Sequence, residues 1–218
     1  MIETSPGLVL RTQPLTDTSL IVEWLTPELG RLATAAKGAR RPKSPFLGKL
    51  DLFYLADFSF VRSRRSDLHT LREVSLRDTH RGLRGDLGYL QQASYCAALL
   101  KQSTETETPL PEMFALMRDF LEVLPKAPPM PQNVFGFEIK LLAELGLTPD
   151  ASKTHLSAGS RGILNRLQQA DWPGIGLLRL SAAQTGELRH FLHGFIIYHL
   201  GRIPKGRDAA VGKPWAQA

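Results

Sequence analysis

The chain has 218 residues, enough for one large domain or two small ones. Its 43% hydrophobic and 22% charged shares exclude collagen-like, mucin-like and wholly disordered classes. No apolar run approaches the roughly 20 residues of a membrane helix. Met1-Ile2-Glu3-Thr4 has neither the basic nor the apolar region of a signal peptide, and the lone Cys96 excludes an internal disulfide or a cysteine-rich zinc site. The expected compartment is the cytoplasm.

Lysine and arginine number 27 against 21 acids, a net charge of +6. Residues 1–80 hold 12 basic and 9 acidic side chains, residues 81–150 hold 6 and 9, and residues 151–218 hold 9 and 3. Basic ends around an acidic middle point to a polyanionic partner, because clustered cations displace condensed counterions.

The first part reads as strands. Leu8-Val9-Leu10 and Leu20 to Leu25 are short β-rich runs. Thr26-Pro27-Glu28-Leu29-Gly30 carries turn chemistry, and Arg31 to Ala36 resumes an alternating pattern, giving a hairpin with a four-residue loop. After a loop around residues 37–48, Leu50 to Phe60 is rich in aromatics, and Leu71 to Leu76 ends the β region. Five short strands in about 75 residues suit a small closed barrel, which leaves no edge exposed.

From Asp78 the apolar period becomes 3.6. Leu83, Leu87, Leu90, Ala93, Ala97 and Leu100 mark one helix face, and Leu110, Phe114, Met117, Leu121 and Leu124 a second that stops at Pro125. Val134, Phe137, Leu141 and Leu145 mark a third, closed by Gly146. Ser160 is placed to cap a short fourth with Ile163, Leu164 and Leu167. Ser181-Ala182-Ala183-Gln184 has capping-box spacing and opens a last helix through Leu188, Phe191, Leu192, Phe195, Ile196 and Leu200 to Gly201. Lys126 to Gln132, with Pro128, Pro129 and Pro131, reads as a loop, and Pro204 to Ala218 as a mobile tail with one large apolar residue, Trp215. The fold class is α+β, a β-barrel over residues 1–78 followed by an all-α region over residues 79–218.

Catalytic motifs are missing. There is no P-loop, H-E-x-x-H or G-x-S-x-G, and Gly174-Ile175-Gly176 reads as a loop, not a dinucleotide fingerprint. Glu187, His190 and His193 have the spacing of a three-ligand site, but Arg189 and Arg202 oppose a cation there, so no metal is expected. Cys96, in the apolar stretch Ala93 to Leu100, reads as a buried core residue. Scattered carboxylates (Asp17, Glu23, Glu28, Asp51, Asp57) give no nuclease-like cluster.

Lys37-Gly38-Ala39-Arg40-Arg41-Pro42-Lys43-Ser44 is the informative segment. Its four cations cannot be buried cheaply, so they are solvated or meet anions. Arg62, Arg64 and Arg65 form a second cluster. From Arg31 to Arg65 there are nine basic residues and two acids, Asp51 and Asp57. These cations are expected to share one open face of the barrel. A ring of Phe53, Tyr54, Phe58 or Phe60 exposed beside them would add a base-stacking platform to the phosphate track. The rival reading is an interaction adaptor whose basic face is incidental.

The run Gly7-Leu8-Val9-Leu10, Ser19-Leu20-Ile21-Val22, Leu25 to Gly30 and Ala36 to Ser44 resembles the N-terminal region of the RecO family of bacterial recombination mediators. Phe137-Glu138-Ile139-Lys140-Leu141-Leu142 with Leu145-Gly146-Leu147-Thr148-Pro149 is similar to that family's FE-x-x-LL…G-x-x-P segment, and Arg189 to Arg202 resembles its closing helix. The resemblance implies an OB-fold and a helical domain without a catalytic centre. It further implies binding of single- and double-stranded DNA, strand annealing, and loading of RecA on gapped DNA. The implied partners are RecR, RecF through it, and the C-terminal tail of single-stranded-DNA-binding protein, in the bacterial cytoplasm at the nucleoid.

Many relatives carry a four-cysteine zinc site after the FE-x-x-LL segment, but Asp150 to Ser160 contains no cysteine. No zinc is therefore expected, and apolar contacts alone are expected to hold residues 150–180. The residues expected to meet DNA are Lys37, Arg40, Arg41, Lys43, Arg62, Arg64, Arg65, Arg202 and Lys205. Arg189, Arg202, Lys205 and Arg207 would extend this track over the helical half or receive the acidic tail.

Overall fold

The computed structural model describes residues 2–212. The described residues form two compact units, residues 2–81 with 104–118 and residues 82–103 with 119–212.

The first unit is a closed barrel of β1 (Ile2–Pro14), β2 (Leu20–Leu25), β3 (Arg31–Ala36), β4 (Leu55–Val61) and β5 (Leu68–Asp78), in the order β1-β2-β3-β5-β4. All pairs are antiparallel except β3 with β5. This is the five-stranded OB barrel. β1 extends well beyond Leu8 to Leu10. Its first half pairs with β4 and its second with β2, and an irregularity between Val9 and Arg11 turns it from one to the other. Pro6 and Gly7 are poor strand formers, so pairing with β4 overrides propensity there. The β2–β3 hairpin pairs up to Leu25 and Arg31, leaving residues 26–30 as a loop one residue longer than expected.

Rings fill the barrel. Trp24 stacks on Phe58 at 4.1 Å, Phe58 on Phe60 at 5.6 Å and Phe60 on His69 at 5.3 Å. The Trp24 indole donates to Thr34 Oγ1 at 2.9 Å, which satisfies its buried N–H. Gly7 makes room for the stack, since a Cβ there would sit 2.5 Å from Phe58 Cε1. The expected aromatic strand begins only at Leu55. Residues 50–54 turn instead, with Phe53 in the left-handed region at φ 64°. That conformation is held by Phe53 N–H to Val9 O at 2.8 Å, Val9 N–H to Tyr54 O at 2.9 Å, and His80 Nδ1–H to Phe53 O at 2.7 Å.

Residues 104–118 belong to this unit. Arg31 Nε donates to Thr104 Oγ1 at 2.8 Å, Glu107 N–H to Arg31 O at 2.9 Å, and Leu110 N–H to Pro27 O at 2.8 Å. Gly30, at φ 65°, lies so close to this segment that a Cβ would collide with the Thr108 carbonyl.

The second unit is helical. Its helices are α1 (Leu87–Ser103), the end of α2 (Pro111–Val123), α3 (Pro131–Glu144), α4 (Ala158–Gln169), α5 (Trp172–Leu177), α6 (Ala182–Leu200) and α7 (Arg207–Val211). α3 ends in a Schellman motif around Gly146 (φ 73°), with Leu147 N–H to Leu142 O at 2.8 Å and Gly146 N–H to Ala143 O at 2.9 Å. The Ser181–Gln184 capping box opens α6 and Gly201 closes it.

Several local readings change. Leu83 lies on a 3-10 turn before α1, and Leu87 is exposed. Pro131 and Gln132 begin α3, since proline suits the first helical position. Ser157, not Ser160, caps α4, receiving Ser160 N–H. Gly174-Ile175-Gly176 lies within α5, which has Pro173 in its first turn and is capped by Asp171. Ile175 packs on Gly136, where a Cβ would meet it at 2.8 Å.

Residues 150–180 are held by polar bonds as well as apolar contacts. Gln132 Nε2 donates to Leu178 O at 3.0 Å, Lys140 Nζ to Ala170 O at 2.8 Å, and Gln168 Nε2 to Pro149 O at 2.7 Å. The tail is not free from Pro204 on: α7 buries Arg207, Ala210 and Val211. Trp215 lies outside the described residues.

Candidate nucleic-acid interface

The loop after β3 is a chain of turns fixed at its base to the β1–β2 connection. Arg40 N–H donates to Thr18 O at 2.9 Å and Gly38 N–H to Ser19 Oγ at 3.2 Å. Gly38, at φ 70°, supplies the backbone these turns need. Lys37, Arg40, Arg41 and Lys43 are all exposed, and among the described residues none meets a carboxylate. Four unneutralised cations on one pinned loop form a strong local field.

Two further cations border this part of the barrel: Lys49, later in the same 37–54 segment, and Arg72, on β5 outside both basic loops. Lys49 and Arg72 line a cavity of about 360 Å³ with Pro45, Phe46 and Thr4. Arg72 stands on β5 beyond the level of Ala35, which pairs with Thr70. The carboxylates of Asp57 and Glu73 also line this cavity, and Asp57 is taken by Arg77 at 2.6 Å.

The second cluster is elsewhere. β3 and β5 run parallel with Ala33 beside Leu68, so the 62–67 loop enters where β3 begins, whereas the 37–54 segment leaves where β3 ends. The two clusters occupy opposite ends of the barrel, separated by about 13 Å of strand. Arg64 and Arg65 are exposed. Arg62 is committed to structure, with Nε 2.8 Å from Glu3 Oε1 and Nη1 2.6 Å from Glu107 Oε2. Its bond to Glu3 raises the guanidinium pKa and holds the Glu3 carboxyl below its ordinary value.

Glu107 also meets His69. Ser63 N–H donates to His69 Nδ1 at 3.2 Å, so the ring carries its proton on Nε2 and donates to Glu107 Oε1 at 2.9 Å. This bond tethers the base of the Arg64–Arg65 loop.

Of the four barrel rings that could have offered a stacking platform, only Tyr54 keeps part of its surface exposed. Phe53, Phe58 and Phe60 are fully buried and Tyr54 is half-buried. A closed barrel of this size needs those rings as core.

In the helical unit, Arg202 and Lys205 are exposed. Arg207 is not: it is 3% exposed and makes two bonds to Glu138, at 2.7 and 2.9 Å. Arg189 bonds the Gly212 carbonyl and lies 4.0 Å from Asp208. Both cations serve packing. Burial pushes the Cys96 thiol pKa well up, as expected of an inert core residue. Among the described residues no group of three or more His, Cys, Asp or Glu converges to hold a metal. No helix among them is long and apolar enough to cross a membrane.

The chain matches the family described as Recombination protein O N terminal over residues 1–80 and that described as Recombination protein O C terminal over residues 84–157. It is 30% identical over 230 residues to a DNA repair protein RecO of Anaeromyxobacter dehalogenans strain 2CP-C, with 90% of this chain and 91% of that one covered. A DNA repair protein RecO of Myxococcus xanthus strain DK1622 is 29% identical over 230 residues, covering 93% and 94%. One from Bacillus subtilis strain 168 is 31% identical over 150 residues, covering 69% and 58%.

Proposed function

The chain belongs to the RecO family of DNA repair proteins, and from that premise we propose that it is a non-enzymatic recombination mediator that grips DNA through the loop after β3. The observation that carries this reading is the set of four exposed cations, Lys37, Arg40, Arg41 and Lys43, none meeting a carboxylate among the described residues. Lys49 and Arg72 extend that patch. Arg64 and Arg65 form a second patch at the other end of the barrel, and Arg202 and Lys205 a third on the helical unit. Arg62 contributes by holding its loop, not by meeting phosphate.

Annealing follows from electrostatics. Two strands held on separate cationic patches of one protein repel each other less, because each patch replaces diffuse counterions with fixed charge. The protein would then load RecA on strands coated by single-stranded-DNA-binding protein, working with RecR and, through it, RecF. The acidic C-terminal tail of the coating protein suits a cleft of about 340 Å³ whose Phe120, Trp172 and Leu177 lie beside Lys126 and Arg179. This activity belongs in the bacterial cytoplasm.

Fluorescence anisotropy with labelled single- and double-stranded oligonucleotides across a salt series tests the reading. Tight binding at low salt with steep loss as salt rises is the expected result. Absence of salt-sensitive binding would leave the adaptor reading in its place.

A further inference from the structure

We propose that a trough along α6 is a base-stacking site for single-stranded DNA, an inference that rests on the DNA-binding reading above and places an aromatic platform on the helical unit. Two adjacent i, i+4 rows of α6 build it: Gly186, His190, Gly194 and Tyr198, and Glu187, Phe191, Phe195 and His199. Residues 153–156 complete a lining that encloses about 890 Å³.

The second row is a ladder of rings. Phe191 and Phe195 are 5.7 Å apart between centroids, Phe195 and His199 4.4 Å, and His199 meets Tyr198 edge-on at 4.9 Å. Tyr198 is 84% exposed, at the open end of the ladder. The buried face of α6 is formed by Leu188, Leu192 and Ile196, which leaves Phe191 and Phe195 half-buried and Tyr198 and His199 exposed. Gly186 and Gly194 sit in the helix interior, where glycine weakens a helix. A Cβ at either would meet nothing within 4 Å, so no contact of this chain requires them. Their effect is to lower the trough floor to the backbone, leaving space for a flat ring.

Charge selects the occupant. Among residues 151–212, Arg189, Arg207 and Lys153 are paired with acids, whereas Arg161, Arg166, Arg179, Arg202 and Lys205 are exposed with no carboxylate partner among the described residues; the carboxylates of this stretch are Asp171, Glu187 and Asp208. All three carboxylates are engaged: Asp171 caps α5, Glu187 accepts Ser157 N–H at 2.9 Å, and Asp208 lies 4.0 Å from Arg189. Lys153 is at the trough, paired with exposed Asp150 at 3.3 Å, and exposed Arg202 and Lys205 follow the C-terminal end of α6. An apolar, ring-lined trough in a cationic surround suits a ligand with flat apolar rings on an anionic chain. Unpaired DNA supplies both; a duplex hides its rings. Each base stacked on an aromatic residue adds affinity with little regard to sequence.

The test compares the unmodified full-length protein with Tyr198→Ala, Phe195→Ala and Gly194→Ala, using three probes: a mixed-sequence single strand, an abasic strand of equal length, and the duplex. Expected is a loss of about fivefold or more for the single strand in each variant, with abasic-strand and duplex affinities unchanged. Photocrosslinking with 5-iododeoxyuridine should label Tyr198 or its α6 neighbours. Gly194→Ala guards against misfolding, because it should hold or raise the melting temperature while closing the trough. Unchanged single-strand affinity in all three variants overturns the site and leaves the loop reading intact, whereas failure of the unmodified protein to bind any DNA defeats both. Loss of self-association, or of acidic-peptide binding, in Tyr198→Ala with DNA affinity unchanged also overturns it, giving the trough to a second copy or a peptide.

Discussion

Arg207 and Glu138 form a bidentate ion pair in the interior of the helical unit, 2.7 and 2.9 Å between donors and acceptors, and Glu138 is wholly buried. The Tyr95 hydroxyl donates to the same carboxylate at 2.6 Å, joining α1, α3 and α7 at one point. Burial opposes the Arg207 charge, but the bonds and charge of Glu138 more than offset it and raise the guanidinium pKa. Burial and then the Glu138 charge push the Tyr95 phenol far up. Breaking one side of such a pair strands a buried charge. Glu138→Ala or Arg207→Ala is expected to cost about 3–5 kcal/mol, a fall of roughly 10 °C in the melting temperature for a chain of this size. The double variant Glu138→Leu with Arg207→Met should recover part of that loss. Calorimetry of the three proteins measures it.

That pair marks where reading the chain stops. Glu138 is recognisable as part of the FE-x-x-LL segment, but its partner lies 69 residues away in a stretch whose polar composition suggests a tail. Pairing across such a distance leaves no periodic trace. The Leu20 to Ala36 hairpin and the Ser181 capping box are legible because their determinants lie within a few residues. Phe53 fails for the opposite reason: a β-favouring ring occupies a left-handed turn only because Val9 and His80 hold its backbone. The basic loop shows in composition, whereas its separation from Arg64 and Arg65 depends on the parallel β3–β5 pairing. Phe191 and Phe195 read in the sequence only as apolar positions of the last helix, since periodicity records which residues share a face but not whether anything covers it.

Gly30 tests the attachment of residues 104–118 to the barrel. Gly30→Ala would force a side chain to φ 65° and drive its Cβ into the Thr108 carbonyl. Strain of about 1–3 kcal/mol from the backbone alone adds to displacement of the segment. The expected result is a lower urea midpoint together with faster amide exchange at Glu107 and Leu110, whose N–H groups bond Arg31 and Pro27. Gly48→Ala is the control. Its φ of 71° carries similar backbone strain, but a Cβ there meets nothing, so exchange at residues 107 and 110 should not change.

Acid should loosen the clasp that Arg62 makes. The Arg62 hydrogen bond holds the native Glu3 carboxyl below its ordinary value, so folding favours the carboxylate. That stabilisation is complete above the unfolded value near pH 4.5 and disappears as pH falls through the lowered native value. Because Glu3 and Arg62 are partly exposed, solvent screening limits the gain to about 0.5–1 kcal/mol. Glu3→Gln should therefore lower the melting temperature slightly at pH 7, and the difference from the unmodified protein should shrink steadily as pH is taken below 4.5.

Salt dependence separates the cations that meet phosphate from those that hold the fold. Each phosphate neutralised on a single strand contributes about 0.7 to the slope of log K against log salt. Replacing Lys37, Arg40, Arg41 and Lys43 together by alanine is expected to reduce that slope by up to about 3, and the Arg64/Arg65 pair by up to about 1.5. Arg62→Ala should leave the slope nearly unchanged while destabilising the fold, since its guanidinium is already divided between Glu3 and Glu107. Arg72→Ala should flatten it by about 0.7, reporting a contact from a strand residue outside both basic loops. A slope that fell as far in Arg62→Ala as in the four-residue variant would mean that DNA displaces the Arg62 carboxylate partners. Anisotropy titrations at several salt concentrations, with circular dichroism of each variant to confirm folding, supply the comparison.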